Sequence, residues 1–204
     1  MRNRNFTKPV LLLLLWLTAC SDELPRIPRL STDAVILAFG DSITYGTGAR
    51  ENESYPAILE DLSGRVVINA GNPGEISADG LARLPGLLDM YQPDLLILCH
   101  GGNDILRKKN LRTMRNNVRQ MIMRAQARNI PVVLLGVPEF GLLMSVSKYY
   151  DEVANATGVV YIRDLLPKII RDTSLKSDPI HLNRDGYLLM GQSIYTVLQE
   201  TGAL

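Results

Sequence analysis

The sequence is short of the groups that many functions require. It has two cysteines and two histidines in 204 residues, a formal net charge of +1, and a longest apolar run, Val10 to Leu17, of eight residues. Two cysteines exclude a disulfide framework, and a run of this length is too short to cross a bilayer, which takes about 20 residues. A near-neutral chain offers no basic surface for nucleic acid. What remains is 46% hydrophobic and 21% charged, the balance of one ordinary globular domain. A chain of this length buries roughly 70% of the surface its unfolded form exposes, so its core needs no disulfide or metal to stabilise it.

The amino terminus follows a separate logic. Arg2, Arg4 and Lys8 precede the apolar run, which ends in Leu17-Thr18-Ala19-Cys20. This charged region followed by an apolar one has the form of a secretory signal. Its end resembles a bacterial lipobox, which implies cleavage before Cys20, acylation of that cysteine and a protein tethered to the bacterial cell envelope. A plain secretory signal or a retained short anchor fits the same residues. The expected organisation is a signal over 1–19, a lipid-anchored tether over 20–33 containing Pro25 and Pro28, and a folded domain over 34–204. Loss of 1–19 takes the formal charge from +1 to −2. Cys99 is then the one unmodified cysteine, and its apolar surroundings make it a small buried hydrophobe.

From residue 34 onward, short apolar runs alternate with segments of helical period. Strands are expected over 34–39, 65–69, 94–99, 130–137 and 159–162, continuously apolar as in a sheet covered on both faces. Helices are expected over 55–62, 77–90, 145–155 and 185–199. Between the third and fourth strands, Leu111, Met114, Val118, Met121, Ile122 and Ala125 make one apolar helical stripe. The order implies an α/β fold, a three-layer α/β/α sandwich on a mainly parallel five-stranded sheet, with ligands beyond the carboxyl ends of the strands.

That rule directs attention to the segments after the strands. The first strand runs into Gly40-Asp41-Ser42, the second into Gly71-Asn72-Pro73-Gly74, and the third into His100-Gly101-Gly102-Asn103-Asp104. Near the carboxyl terminus stands Asp178-Pro179-Ile180-His181. Ester cleavage by serine needs a base beside the hydroxyl and a carboxylate that holds the base in the correct tautomer. Ser42, His181 and Asp178 suit these roles, since His181 is the histidine with an acidic neighbour at short spacing. The developing oxyanion needs preplaced donors, and the backbone N–H groups of Ser42 and Gly74 and the amide of Asn103 are candidates. Gly71 is the competing glycine.

These four segments, in this order, resemble the blocks of the GDSL or SGNH hydrolase family. The resemblance implies a flavodoxin-like sandwich, hydrolysis through an acyl-enzyme on Ser42, an oxyanion hole of Ser42, Gly74 and Asn103, and no metal or cofactor. It is nearest to the small bacterial thioesterase, lysophospholipase and arylesterase branch. Two departures stand out: Ile43 replaces the leucine of the family name, and Pro73 precedes Gly74. The expected substrate is a small-molecule acyl ester, lipid-derived or of short to medium chain, with no obligate protein partner. A carbohydrate O-deacetylase and a non-catalytic envelope lipoprotein are the alternatives.

Ile105, Leu106, Phe140, Leu142 and Leu143 could line an acyl groove, or be ordinary core. Asp41 and Asp104 are expected to fix loop geometry. His100 has no partner that the sequence names, and is read as structural. Gly46-Thr47-Gly48 imitates part of a dinucleotide fingerprint, but Glu51 stands where its third glycine belongs and would repel a pyrophosphate.

Overall fold

The computed structural model of the chain describes residues 25–139 and 145–204. The signal sequence, Cys20, Phe140, Leu142 and Leu143 lie outside the described residues. In chain order the elements are β1 (Val35–Gly40), α1 (Ser42–Tyr45), α2 (Tyr55–Ser63), β2 (Val66–Gly71), α3 (Ser77–Tyr91), β3 (Leu95–Cys99) and α4 (Gly102–Leu106). They continue with α5 (Leu111–Gln126), β4 (Val132–Leu135), α6 (Lys148–Thr157), β5 (Val160–Ile162), α7 (Leu165–Arg171) and α8 (Arg184–Glu200).

The strands form one sheet in the order β2-β1-β3-β4-β5, every pair parallel. This is the flavodoxin-like order. Ile36 to Phe39 on β1 and Leu95 to Leu98 on β3 are fully buried, as their unbroken apolar runs require. Edge strand β2 is buried only at Val67 and Ala70, and Val66 stands half exposed.

The chain steps from β1 to β2 in one direction and from β2 through β5 in the other. Right-handed crossovers therefore put α2 on the face opposite α3, α5 and α6. The contacts agree: α2 packs on α8 and α8 on α7, while α3, α5 and α6 form a row. The reversal leaves a crevice at the carboxyl ends of β1 and β3, the switch point where ligands bind in such sheets.

Two expectations change. The tether was expected to reach residue 33, yet Ile27 and Leu30 are buried. Their N–H groups donate to the carbonyls of Thr201 at 3.0 Å and Ala203 at 2.8 Å. Burying each side chain contributes about 1.5–3 kcal/mol, so the folded part begins near Ile27. The helix expected from residue 145 starts at Lys148, because Val146 first bridges Pro138 in antiparallel fashion. No described helix is long and apolar enough to cross a membrane.

Candidate active site

Gly40 ends β1 at a position where a Cβ would lie 2.2 Å from both the Cys99 carbonyl and the Thr44 hydroxyl. Only glycine passes there. Buried Asp41 caps α1 by accepting from the Ile43 N–H at 3.2 Å, and Ser42 opens the helix with its hydroxyl at the sheet edge. Gly71 lies against the backbone of Tyr45, where a Cβ would come within 2.1 Å of the Tyr45 nitrogen, so α1 can rest on the end of β2.

The loop before α8 is shaped by Asp178. Its Oδ1 accepts from the N–H groups of Ile180 and His181, both at 2.8 Å, and its Oδ2 accepts from His181 Nδ1 at 2.7 Å. A carboxylate can only accept, so Nδ1 carries a hydrogen, and in the neutral ring Nε2 presents its lone pair. That lone pair faces Ser42 Oγ at 3.0 Å. Burial works to raise the Asp178 pKa, but the hydrogen bonds from the His181 N–H, its ring and the Ile180 N–H outweigh it and hold the carboxyl at about 2. Asp178 is therefore ionised at any working pH. Such a chain of hydroxyl, imidazole and carboxylate can draw the proton from the serine as it attacks.

Gly46 caps α1 in the left-handed conformation, and Gly48 makes a close approach to the His181 loop. Both have φ of +99°, and a Cβ on Gly48 would lie 2.1 Å from Ser177 Oγ and 2.5 Å from the Leu182 carbonyl. Their conformation brings the segment after α1 against the His181 loop.

The candidate oxyanion donors separate clearly. The Gly71 N–H donates to Asn69 Oδ1 at 3.0 Å and is taken. Among the described residues nothing accepts from the N–H groups of Ser42 or Gly74, and Gly74 sits at φ +79°. The Asn103 amide reaches the same region but donates to Asp41 Oδ2 at 3.3 Å and to the Glu75 carbonyl at 3.1 Å. Asp104 turns away and accepts from the N–H and hydroxyl of Ser77, each at 2.7 Å, tying α4 to α3. Burial raises the Asp41 pKa, partly offset by the nearby imidazole of His100.

An apolar pocket opens beside Ser42. Leu106 lines it, together with Ile43, Val137, Leu166, Ile170 and Ile180. Its cavity volume is about 20 Å³, room for little more than one water molecule. Ile105, a candidate for this groove or for the core, packs on the core. Three of the lining residues come from α7 and the His181 loop, which the sequence did not connect with a groove.

His100 is fully buried, and its Nε2 lies 3.0 Å from Glu75 Oε2. Sequence reasoning missed Glu75 and its other partner, Arg83. A carboxylate directly after the candidate glycine was the available signal. Burial favours a higher Glu75 pKa, yet hydrogen bonds from His100, Arg83 and Asn72 bring it down to about 2. Among the described residues no group of three or more His, Cys, Asp or Glu side chains could hold a metal ion.

With the geometry in hand, comparison with known proteins decides the family. Residues 38–189 match the model of the GDSL-like Lipase/Acylhydrolase family. The chain belongs to this family. Among its relatives, this GDSL-like protein is 31% identical over 168 residues to the Escherichia coli K12 protein named Thioesterase 1/protease 1/lysophospholipase L1, covering 77% of this chain and 79% of that one. It is 36% identical over 130 residues to the Pseudomonas aeruginosa Esterase TesA, covering 58% and 64%. Of solved structures, one titled as that of a TesA superposes with a TM-score of 0.76 at 27% identity, covering 82% of this chain and 99% of that one. The psychrotrophic esterase EstA from Pseudoalteromonas, solved with monoethylphosphonate as inhibitor, gives 0.73 at 26%, covering 82% and 98%. This GDSL-like acylhydrolase is thus an ester-hydrolysing enzyme on a parallel α/β sandwich.

Proposed function

We propose that this enzyme cleaves carboxylic esters of short to medium acyl groups through an acyl-enzyme on Ser42. The observation that carries the reading is the hydrogen-bonded chain from Asp178 through His181 to Ser42, which ends beside a small apolar pocket. In this mechanism His181 Nε2 takes the Ser42 proton as Oγ attacks the carbonyl carbon. The oxyanion then meets the N–H groups of Ser42 and Gly74. Asn103 joins them by giving up its longer bond, the one to Asp41. His181 returns the proton to the departing alcohol, a water attacks the acyl-enzyme by the same route, and Asp178 stays ionised throughout.

The pocket sets the acyl range. The small pocket beside Ser42, walled by branched aliphatic side chains, supports a short acyl chain. Across nitrophenyl acetate, butyrate, octanoate and palmitate, kcat/KM is expected to peak at acetate or butyrate and fall thereafter. A steady rise to palmitate would overturn the short-chain reading. The same narrowness favours one alternative, a carbohydrate O-deacetylase acting on envelope polysaccharide. Acetate release from an acetylated polysaccharide, with butyrate esters inert, would establish it instead.

The place of action is part of the proposal: removal of 1–19 and acylation of Cys20 tether the enzyme in the bacterial envelope. Cells fed a palmitate analogue are expected to label the wild type and not Cys20→Ala. Label persisting in the variant would rule the anchor out.

A further inference from the structure

Outside the Ser42, His181 and Asp178 chain, the carboxylate of Glu75, directly after Gly74, accepts four hydrogen bonds. Only 3% of its side chain is exposed. Oε1 accepts from Asn72 Nδ2 at 3.0 Å and Arg83 Nε at 2.8 Å, and Oε2 accepts from Arg83 Nη2 at 2.7 Å and His100 Nε2 at 3.0 Å. A buried ion pair is weak evidence for stability, because desolvation offsets much of the attraction. What the cluster does have is position.

The backbone around Glu75 is fixed as firmly as its carboxylate. The Gly74 carbonyl accepts from Arg107 at 2.9 Å, the Glu75 N–H donates to the Asn72 carbonyl at 3.1 Å, and the Glu75 carbonyl accepts from Asn103. Gly74 and Asn103 are the two donors that Ser42 does not itself supply. On the other side of the link, His100 directly precedes Gly101-Gly102-Asn103. Its ring is stacked 5.5 Å from Phe39 and lies where a Cβ on Gly80 would come within 2.2 Å of Nε2. His100 Nδ1 is buried without a hydrogen-bond partner, so Glu75 is what orients the ring.

The sheet order gives the arrangement its meaning. β2 and β3 flank β1, so a bond from the loop after β2 to the end of β3 crosses over the end of β1, where Ser42 begins. Arg83 seats the strap on both strands, bonding the Ala70 carbonyl of β2 at 3.1 Å and lying 4.4 Å above the Phe39 ring of β1.

We propose that Glu75, bridged to His100 and Arg83, is a positioning residue that locks the loops after β2 and β3 in register with Ser42 and so sets the geometry of the oxyanion donors. This rests on the hydrolytic reading above and assigns Glu75 no contact with substrate.

Glu75→Gln tests it, because either amide orientation sets an NH2 group against two donors while the volume is kept. With nitrophenyl acetate, kcat is expected to fall about 30-fold and KM to change less than about threefold, since misplaced donors weaken the transition state more than substrate binding. Asn103→Ala alone is expected to lower kcat about a hundredfold. The double variant should fall little below Asn103→Ala, because both act through one hole. Unchanged kcat in Glu75→Gln, a proportional rise in KM, or losses that simply multiply in the double variant would each overturn the proposal.

Should Glu75→Gln fail to fold, the His100 pair decides. His100→Leu removes the bridge and should lower kcat, while His100→Gln keeps one donor toward Glu75 and should recover most of it; equal activity in the two defeats the idea. Wild-type protein inert to every ester and to a fluorophosphonate would defeat the hydrolytic reading itself. Active wild type with a dead Ser42→Ala and an unimpaired Glu75→Gln would defeat the positioning role alone.

Discussion

Replacing Ser42 with Ala is expected to lower kcat for ester hydrolysis by about a millionfold and to abolish labelling by a fluorophosphonate, because no other group can form the acyl-enzyme. The fold should be spared. Among the described residues the Ser42 hydroxyl bonds only to His181, α1 is capped by Asp41 rather than Ser42, and His181 remains held by Asp178. Alanine also suits the first turn of a helix at least as well as serine. Thermal melting of the variant beside the wild type should show two similar curves, while stopped-time assays separate them completely. Labelling of the alanine variant, or activity within about a hundredfold of wild type, would remove Ser42 from the chemistry.

Asp178→Asn should cost about ten-thousandfold in kcat, a larger loss than its single atom of difference suggests. The asparagine carbonyl can still accept from the N–H groups of Ile180 and His181, which keeps the turn. Its NH2 then faces His181 Nδ1, now as a donor. The imidazole answers by moving its hydrogen to Nε2, which points at Ser42. The serine then meets a donor where it needs an acceptor. The loss should be in kcat rather than KM, and the melting temperature should move far less than the rate. Retention of activity within about tenfold would show that His181 does not depend on Asp178 for its tautomer.

The sequence made most of the sheet legible, for a physical reason. Strands covered on both faces must be apolar throughout, so the segments around Ile36 and Leu96 could hardly be anything else, and the stripe from Leu111 to Ala125 left one reading for α5. The short helices were less visible. α1, α4 and α7 have four, five and seven residues, too few to show a period, and Pro167 further disguises α7. Missing α7 meant missing Leu166 and Ile170 in the wall of the pocket.

Ser42, His181 and Asp178 could be named because each sits in a compact segment whose residue types suit one chemistry. The bond between Ser42 and His181 spans 139 positions, and only the placement of segments after parallel strands pointed to it. Glu75 and His100, 25 positions apart, carried no such cue. His100 was read as structural and Glu75 was not singled out, and their partnership exists only because β2 and β3 lie on either side of β1. Ile27 and Leu30 were misread for a similar reason: two apolar residues among prolines and arginines gain meaning only from the carboxyl-terminal turn that receives them.

That docking of the first described residues onto the last has a consequence for orientation. α8 leaves the His181 loop at Arg184, and its 17 residues, rising 1.5 Å each, carry the chain about 25 Å down the sandwich to the turn at Thr201 where Ile27 is held. The first described residues therefore enter the fold at the pole of the molecule opposite Ser42, and the mouth of the site faces away from them.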